Sequence, residues 1–365
     1  MPISQTIVRY AIHPAIGIAR VGNAREEFYF APQAPGDLPA PPYKDRTGAV
    51  KRQAARFRIY GYDERGDVVQ EITADDAEIS WRVHLANRKA GWYQFLNAMD
   101  LGPLALAAPR RNGAVGGDDR RQLVIDPGPR AIGGRNQVGP TFDTGEFMTV
   151  PVYLGELRTD ERGRLIVLGG RGRSASGGNT CSPATTFANN DGWHDDVADG
   201  PVRATVRIDG RAVEAEPAMV VVAPPNFGQG LYAAVTMYDV VLDLFVRELN
   251  WLAPPARPSF WRDIYPIFQR LVQCQWVNQG VYFLFGQNSP GDLTAPARLE
   301  QLADPSPRSR AERERLFHWF LDPDARRAEP IKLPPFYGDA YGDFSGVAHD
   351  GLALTRTQHR LLAAW

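Results

Sequence analysis

The sequence predicts an α+β fold, with a β-rich N-terminal domain of antiparallel strands and hairpins over residues 1–225 and a mainly helical domain over 226–365. Three observations carry this. Apolar and polar residues alternate with period two in run after run up to residue 223, as half-buried strands do. Turn signatures such as Asp209-Gly210 separate runs that can pair. Beyond about residue 231 the apolar spacing changes to three and four, the helical period.

The first strand is residues 7–12, where Ile7, Arg9 and Ala11 alternate with Val8, Tyr10 and Ile12 until Pro14 closes the run. Residues 55–62 alternate likewise, turn at 63–66 and return over 68–72 as a hairpin partner. Residues 79–85 form another period-two strand. Residues 150–154 precede a turn at 159–163, and 164–168 follow it. Residues 202–208, the Asp209-Gly210 turn and 211–213 read as a hairpin. Residues 218–223 are a fully apolar strand stopped by Pro224 and Pro225. The helical signals begin with Ala233, Thr236, Met237, Val240, Val241, Leu244 and Phe245. Residues 263–280 repeat the pattern through Ile264, Ile267, Phe268, Leu271 and Val272. Residues 305–320 are amphipathic, with Leu316, Trp319 and Phe320 on the apolar side, and 355–365 read as a helix capped by Thr355 or its neighbour. Segments 31–52, 109–145, 169–180 and 322–350 have weak periodicity and read as long loops, which in compact domains tend to be functional or partner-structured.

Composition narrows the function classes. The 35 glycines and 30 prolines are dispersed among apolar runs, so they punctuate turns instead of marking low complexity. A net charge of -1 offers no basic excess for nucleic acid or an anionic membrane. No stretch reaches the ~20 apolar residues that span a bilayer. Cys181 and Cys274 make neither a disulfide framework nor a CxxC pair and read as free thiols of a reducing compartment. The N-terminus lacks the basic and apolar regions of a signal peptide, so a cytoplasmic location is expected, with non-classical export left open.

The densest polar constellation is residues 189–201, with Asn190, Asp191, Trp193, His194 and Asp195 as substrate-site candidates. Two amides, four carboxylates and a histidine there suit a cation, an ammonium substrate or self-satisfying Asx turns. The spacing fails the calcium-loop template, and a single histidine argues against zinc, so no metal ligand set is assigned. His13, before Pro14, reads as structural. Residues 169–178 lack the GK[ST] ending of a phosphate loop and read as a mobile loop, and no GxSxG elbow supports a hydrolase triad. Cys274 and Trp276, two apart on a predicted helix, face away from each other, and Cys274 reads as a buried small hydrophobe.

Several strings, taken together and in order, resemble the lysine epsilon-oxidase and glycine oxidase family of cysteine tryptophylquinone-dependent amino-acid oxidases. They are Ile12-His-Pro-Ala-Ile-Gly-Ile-Ala-Arg-Val-Gly-Asn23, Gln53-Ala-Ala-Arg-Phe-Arg58, Asn97-Ala-Met-Asp-Leu-Gly102 and residues 154–166. Asn190-Asp-Gly-Trp-His-Asp-Asp196, residues 263–271, Gln275-Trp-Val-Asn-Gln279 and Leu354-Thr-Arg-Thr-Gln358 complete the set. The resemblance implies oxidative deamination of an amino acid by oxygen, with ammonia and hydrogen peroxide as products. It also implies a quinone carbonyl that forms a Schiff base with the amine, and a flavoprotein that helps mature the cofactor. A homo-oligomer is expected. His194 stands where the family carries a variable aromatic and is read as lining substrate entry, with a polarity that changes between about pH 5 and 8.

The family's cofactor cysteine and tryptophan lie in Cys-x-Gly-Gly-like and Pro-Trp-Gln-Ala-Asp-like strings beyond the Leu-Thr-x-Thr-Gln helix. Neither string is present here, so cysteine tryptophylquinone is not formable from this chain alone, its catalytic residues are unknown, and 226–365 is an incomplete C-terminal domain. Cys274, Trp276 and Asn278 are retained as near-cofactor candidates. The leading expectation is therefore the N-terminal part of an amino-acid oxidase. The alternatives are a non-catalytic scaffold or interaction subunit of the same fold, and a metal-dependent enzyme using the loop 191–199.

Overall fold

The structure, a computed structural model, describes residues 7–32, 42–93, 109–176, 190–226, 231–325, 329, 332–334 and 353–365. Among these, the residues up to 226 form one compact unit and those from 231 form another.

The first unit is built from strands. In chain order they are β1 (Arg9–His13), β2 (Ile16–Arg20), β3 (Phe28–Phe30), β4 (Arg52–Tyr62), β5 (Val68–Ile72), β6 (Glu78–Val83), β7 (Arg130–Gly133), β8 (Val138–Thr141), β9 (Gly145–Phe147), β10 (Val150–Val152), β11 (Gly155–Thr159), β12 (Leu165–Gly169), β13 (Ser174–Ser176), β14 (Trp193–Asp195), β15 (Ala198–Ile208), β16 (Arg211–Glu214) and β17 (Ala218–Ala223). Thirteen share one sheet in the order β7-β6-β15-β17-β2-β4-β12-β11-β8, with β1, β3 and β5 also on β4 and β16 on β15. Pairing is antiparallel except for β17 with β2 and β3 with β4. Period-two alternation places Ile79, Trp81, Val83, Val202, Ala204, Val206, Val220 and Val222 in a single core. The buried Trp81 satisfies its indole N–H by donating to the Gly163 carbonyl at 2.9 Å. Gly17 faces the same core, where a Cβ would lie 2.3 Å from Phe57 Cζ, so β2 can pass Phe57 only without a side chain there.

Several expectations are corrected. The predicted loops 109–145 and 169–180 contain β7, β8 and β13, short Gly- and Pro-containing strands held by backbone pairing rather than by an apolar face. Strands β2, β3 and β9 also escape the period-two reading. The hairpin partner of β12 is residues 155–159, not 150–154, because Val150–Val152 pairs with β9. The Asp209-Gly210 turn forms as expected, both residues at positive φ (49° and 79°), and joins β15 to β16 in register.

The second unit contains α1 (Met237–Arg247), α2 (Tyr265–Gln273), α3 (Gln279–Leu284), α4 (Pro296–Ala303), α5 (Pro307–Phe317) and α6 (Arg356–Ala364). Capping boxes start α1 at Thr236 and α6 at Thr355. Ile264, Ile267, Phe268, Leu271, Leu302, Leu316 and Leu362 form its core. The two helices are joined where Thr357 donates to Asp243 through its backbone N–H at 2.8 Å and its hydroxyl at 2.7 Å. Met237, Val240, Val241 and Leu244 of α1 are exposed, whereas its Asp239 is buried and takes a 2.8 Å bond from Arg270. Helix α4 was missed; its apolar positions are few, and Pro296 occupies the first turn.

Candidate functional site

The constellation 190–196 folds as a turn leading into β14, which pairs with β13 so that His194 lies opposite Ala175. Trp193 N–H donates to the Asn190 carbonyl, and Gly192 adopts φ 73°, closing the turn. Alternation along the strand turns His194 inward. Its ring stacks on Phe147, centroids 4.9 Å apart, with 8% of the residue exposed.

Two distant segments fix the loop. Asn112, 3% exposed and at φ 49°, accepts the Gly192 N–H at 2.7 Å through Oδ1 and donates from Nδ2 to the Ala90 carbonyl at 2.9 Å. Its own N–H donates to Asp191 Oδ1 at 2.5 Å. Arg120 clamps that segment by donating to the carbonyls of Asn112, Val115, Gly91 and Arg111. From the stretch after β6, Asn87 Nδ2 donates to the Asp195 carbonyl and to Asp195 Oδ1, both at 3.0 Å, and Lys89 Nζ pairs with Asp195 Oδ2. Asp196 is buried beside Gly170, where a Cβ would come 2.4 Å from Oδ2. Burial pushes its carboxyl up, against bonds from the backbone around Arg173 and Arg171.

The loop is therefore largely a self-satisfied network, with two exceptions. Among the described residues, His194 Nδ1 and Trp193 Nε1 are buried without a hydrogen-bond partner. Burial lowers the His194 pKa, opposed by the Gly192 backbone and Asp195, so the ring is held neutral. A neutral imidazole and an indole N–H offer a polar ligand one donor and one donor-or-acceptor. Among the described residues no group of three or more His, Cys, Asp or Glu converges as a cation site.

The other candidates lie in the second unit. Cys274 is buried, its Sγ 3.3 Å from the Arg270 carbonyl and 3.8 Å from that of Tyr232, and burial raises its thiol pKa. Trp276 is 66% exposed. Asn278 is buried and caps α3 by accepting the Val281 N–H at 2.9 Å. Cys181 lies outside the described residues, as do Asn97 and Gly102. His13, at the end of β1, shares a 2.5 Å hydrogen bond with the Tyr62 hydroxyl. Residues 169–176, expected to be mobile, end β12 and form β13. Asn87, Lys89, Asn112 and Arg120 were not foreseen; the only local sign is Asn112-Gly113, a pair suited to positive φ.

The strand-rich sheet, the helical unit that follows it in sequence and the polar turn leading into β14 together define a fold shared with a solved L-Lys epsilon-oxidase. The profile of the L-lysine epsilon oxidase N-terminal family matches residues 13–222, and the chain belongs to that family. It is 33% identical, over 320 aligned positions, to L-lysine 6-oxidase of Marinomonas mediterranea, an alignment covering 73% of this chain and 43% of that protein. The crystal structure of the L-Lys epsilon-oxidase from the same organism superposes with a TM-score of 0.74 at 26% identity, covering 98% of this chain and 60% of the other. A structure of that oxidase as its Schiff base intermediate with L-Lys matches with a TM-score of 0.73 at 27% identity and the same coverage. The chain thus spans 60% of the length of these solved relatives. Among the described residues no helix is long and apolar enough to cross a membrane.

Proposed function

We propose that this chain is the N-terminal part of an amino-acid oxidase that deaminates its substrate oxidatively, consumes oxygen and releases ammonia and hydrogen peroxide. The observation that carries the proposal is the match, over 98% of the chain, to an oxidase captured as a Schiff base with L-Lys. A Schiff base requires a carbonyl for the substrate amine, and a protein-derived quinone supplies one.

Cys274 and Trp276, the near-cofactor candidates among the described residues, do not fit that cofactor. Its formation needs a cysteine sulfur bonded to an indole. Cys274 Sγ instead sits against two backbone carbonyls, and the Trp276 ring stands out in solvent. The thiol and indole are assigned to polypeptide corresponding to the remaining two-fifths of the relatives' length, and no chemical step is drawn through the pair seen here. The second unit supports this reading. Tyr238, Trp251, Leu252, Trp261, Phe283 and Leu284 are each 51% to 72% exposed, apolar surface available to further polypeptide. The role left to the present residues is to shape and exclude water from the substrate path. There His194 and Trp193 present buried ring nitrogens, in a turn anchored through Asp191 to Asn112 and through Asp195 to Asn87 and Lys89.

The test is a peroxide-coupled assay over the amino acids, with visible absorbance for a quinone, on the protein joined to its cofactor-bearing portion. Turnover with His194→Phe altering substrate preference supports both the oxidase and the loop's role. Absence of quinone absorbance and of peroxide for every amino acid leaves the second reading, a non-catalytic scaffold of the same fold, which the misfit of Cys274 and Trp276 favours.

A further inference from the structure

The core-facing side of β6, β15, β17 and β2 is buried, and the opposite side carries a register of residues whose pattern is self-complementary. In one row across the strands stand His84, Pro201, Met219 and Ile16, since His84 N–H donates to the Pro201 carbonyl and Pro201, Met219 and Ile16 pair in sequence. Two residues along β15 in one direction is Asp199, beside Val221 and Ile18. Two residues in the other direction is Arg203, directly opposite Arg82. Ile16, Ile18 and Met219 are 61%, 37% and 41% exposed, a contiguous apolar strip. Asp199, Arg82 and Arg203 are exposed, and none has an ion-pair partner among the described residues. Two arginines facing each other across a strand pair repel unless an anion lies over them.

We propose that this sheet face is an isologous interface between two copies of the chain. The two-fold axis runs parallel to the sheet and just above its exposed face, over the His84–Pro201–Met219–Ile16 row. Rotation about that line exchanges the two ends of β15 at equal displacement. Asp199 of each copy then meets Arg203 of the other, twice over, and within reach of Arg82. The same operation sets Met219 and Ile16 against their own counterparts in the second copy and so covers the centre of the apolar strip. A hollow of ≈ 280 Å³ bounded by Arg82, His84, Pro129, Pro201 and Arg203 lies beside the axis and admits side chains of the second copy. The charge order, acid on one side of the row and base on the other, favours a second copy over an unrelated acidic partner, which would leave Asp199 opposed.

The experiment is analytical ultracentrifugation of the 365-residue chain from the low micromolar range to about 100 µM, the span in which weak interfaces associate. The expected result is a concentration-dependent dimer. Asp199→Arg and Arg203→Asp each weaken it roughly tenfold or more, and the double variant, in which the order is reversed but still self-complementary, restores it. Thermal melts confirm that the variants stay folded, and Met219→Glu, an exposed position, provides an independent disruption. A chain that is monomeric throughout overturns the proposal. So does a dimer indifferent to both charge reversals, or one dispersed only by Val240→Glu on α1. The outcome is independent of whether the oxidase reading holds.

Discussion

Replacing Asn112 by alanine is the sharpest perturbation of the candidate site, because one side chain holds two segments to it. The side chain is buried, accepts the Gly192 N–H at 2.7 Å and donates to the Ala90 carbonyl at 2.9 Å. Truncation leaves a buried N–H and a buried C=O without partners, at about 1–3 kcal/mol each, the lower figure applying if water enters. Alanine must also adopt the φ of 49° that Asn112 adopts, at about 1 kcal/mol more. The sum is about 3 kcal/mol of local stability, or about two orders of magnitude in the opening equilibrium. Hydrogen–deuterium exchange, read on peptides covering 190–196 and 87–92, measures it directly. Asn112→Gly removes the same hydrogen bonds but accepts positive φ, so it should recover about 1 kcal/mol of the loss. Asn112→Asp keeps an acceptor for Gly192 and should fall between wild type and alanine. Exchange unchanged in the alanine variant, or a glycine variant worse than alanine, would refute the latch.

Two further outcomes follow from the packing of the sheet unit. Burial holds the His194 pKa below its ordinary value of about 6.5, so the unfolded chain binds the proton more readily than the folded one. Stability is fully present above that ordinary value and declines as pH falls below it toward the folded pKa. His194→Phe keeps a ring on Phe147 and should flatten that decline, as read by thermal melts between pH 5 and 7.5; an unaltered pH slope counts against the buried neutral imidazole. Gly17→Ala places a Cβ 2.3 Å from the Phe57 ring and should cost about 1–3 kcal/mol by overpacking. Pairing it with Phe57→Leu should recover part of that cost in a denaturation-based double-mutant cycle, and strict additivity would show that the two do not meet.

What the sequence reveals depends on which interaction shapes each segment. β4 and β15 are legible because one face of each is buried, so alternation writes the burial into the chain: β15 runs Val202, Ala204, Val206 inward and Arg203, Thr205, Arg207 outward. β7, β8 and β13 are not, because Gly133, Gly139 and Ser174 contribute backbone pairing, and hydrogen bonds between main chains leave no residue pattern. Positive φ at Asp209 and Gly210 was legible for the opposite reason, since conformational strain restricts residue type directly.

The candidate site divides along the same line. Asn190, Asp191 and Asp195 announce themselves by local density, but the groups that hold them, Asn87, Lys89 and Asn112, lie 79 to 108 residues away along the chain. Only the sheet order, which sets β6 beside β15 and so brings the stretch after β6 to the mouth of β14, creates those contacts. Helix α1 exposes the complementary limit. Its spacing of three and four correctly specifies a helix with an apolar stripe, yet in this chain the stripe points outward, and the inward contacts include the Asp239–Arg270 ion pair and the Asp243–Thr357 hydrogen bonds. An amphipathic pattern encodes the burial of the finished assembly. Helix α1 turns Asp239 and Val246 toward its own unit and leaves Met237, Val240, Val241 and Leu244 exposed, so its apolar spacing specifies the helix but not the side that this unit buries.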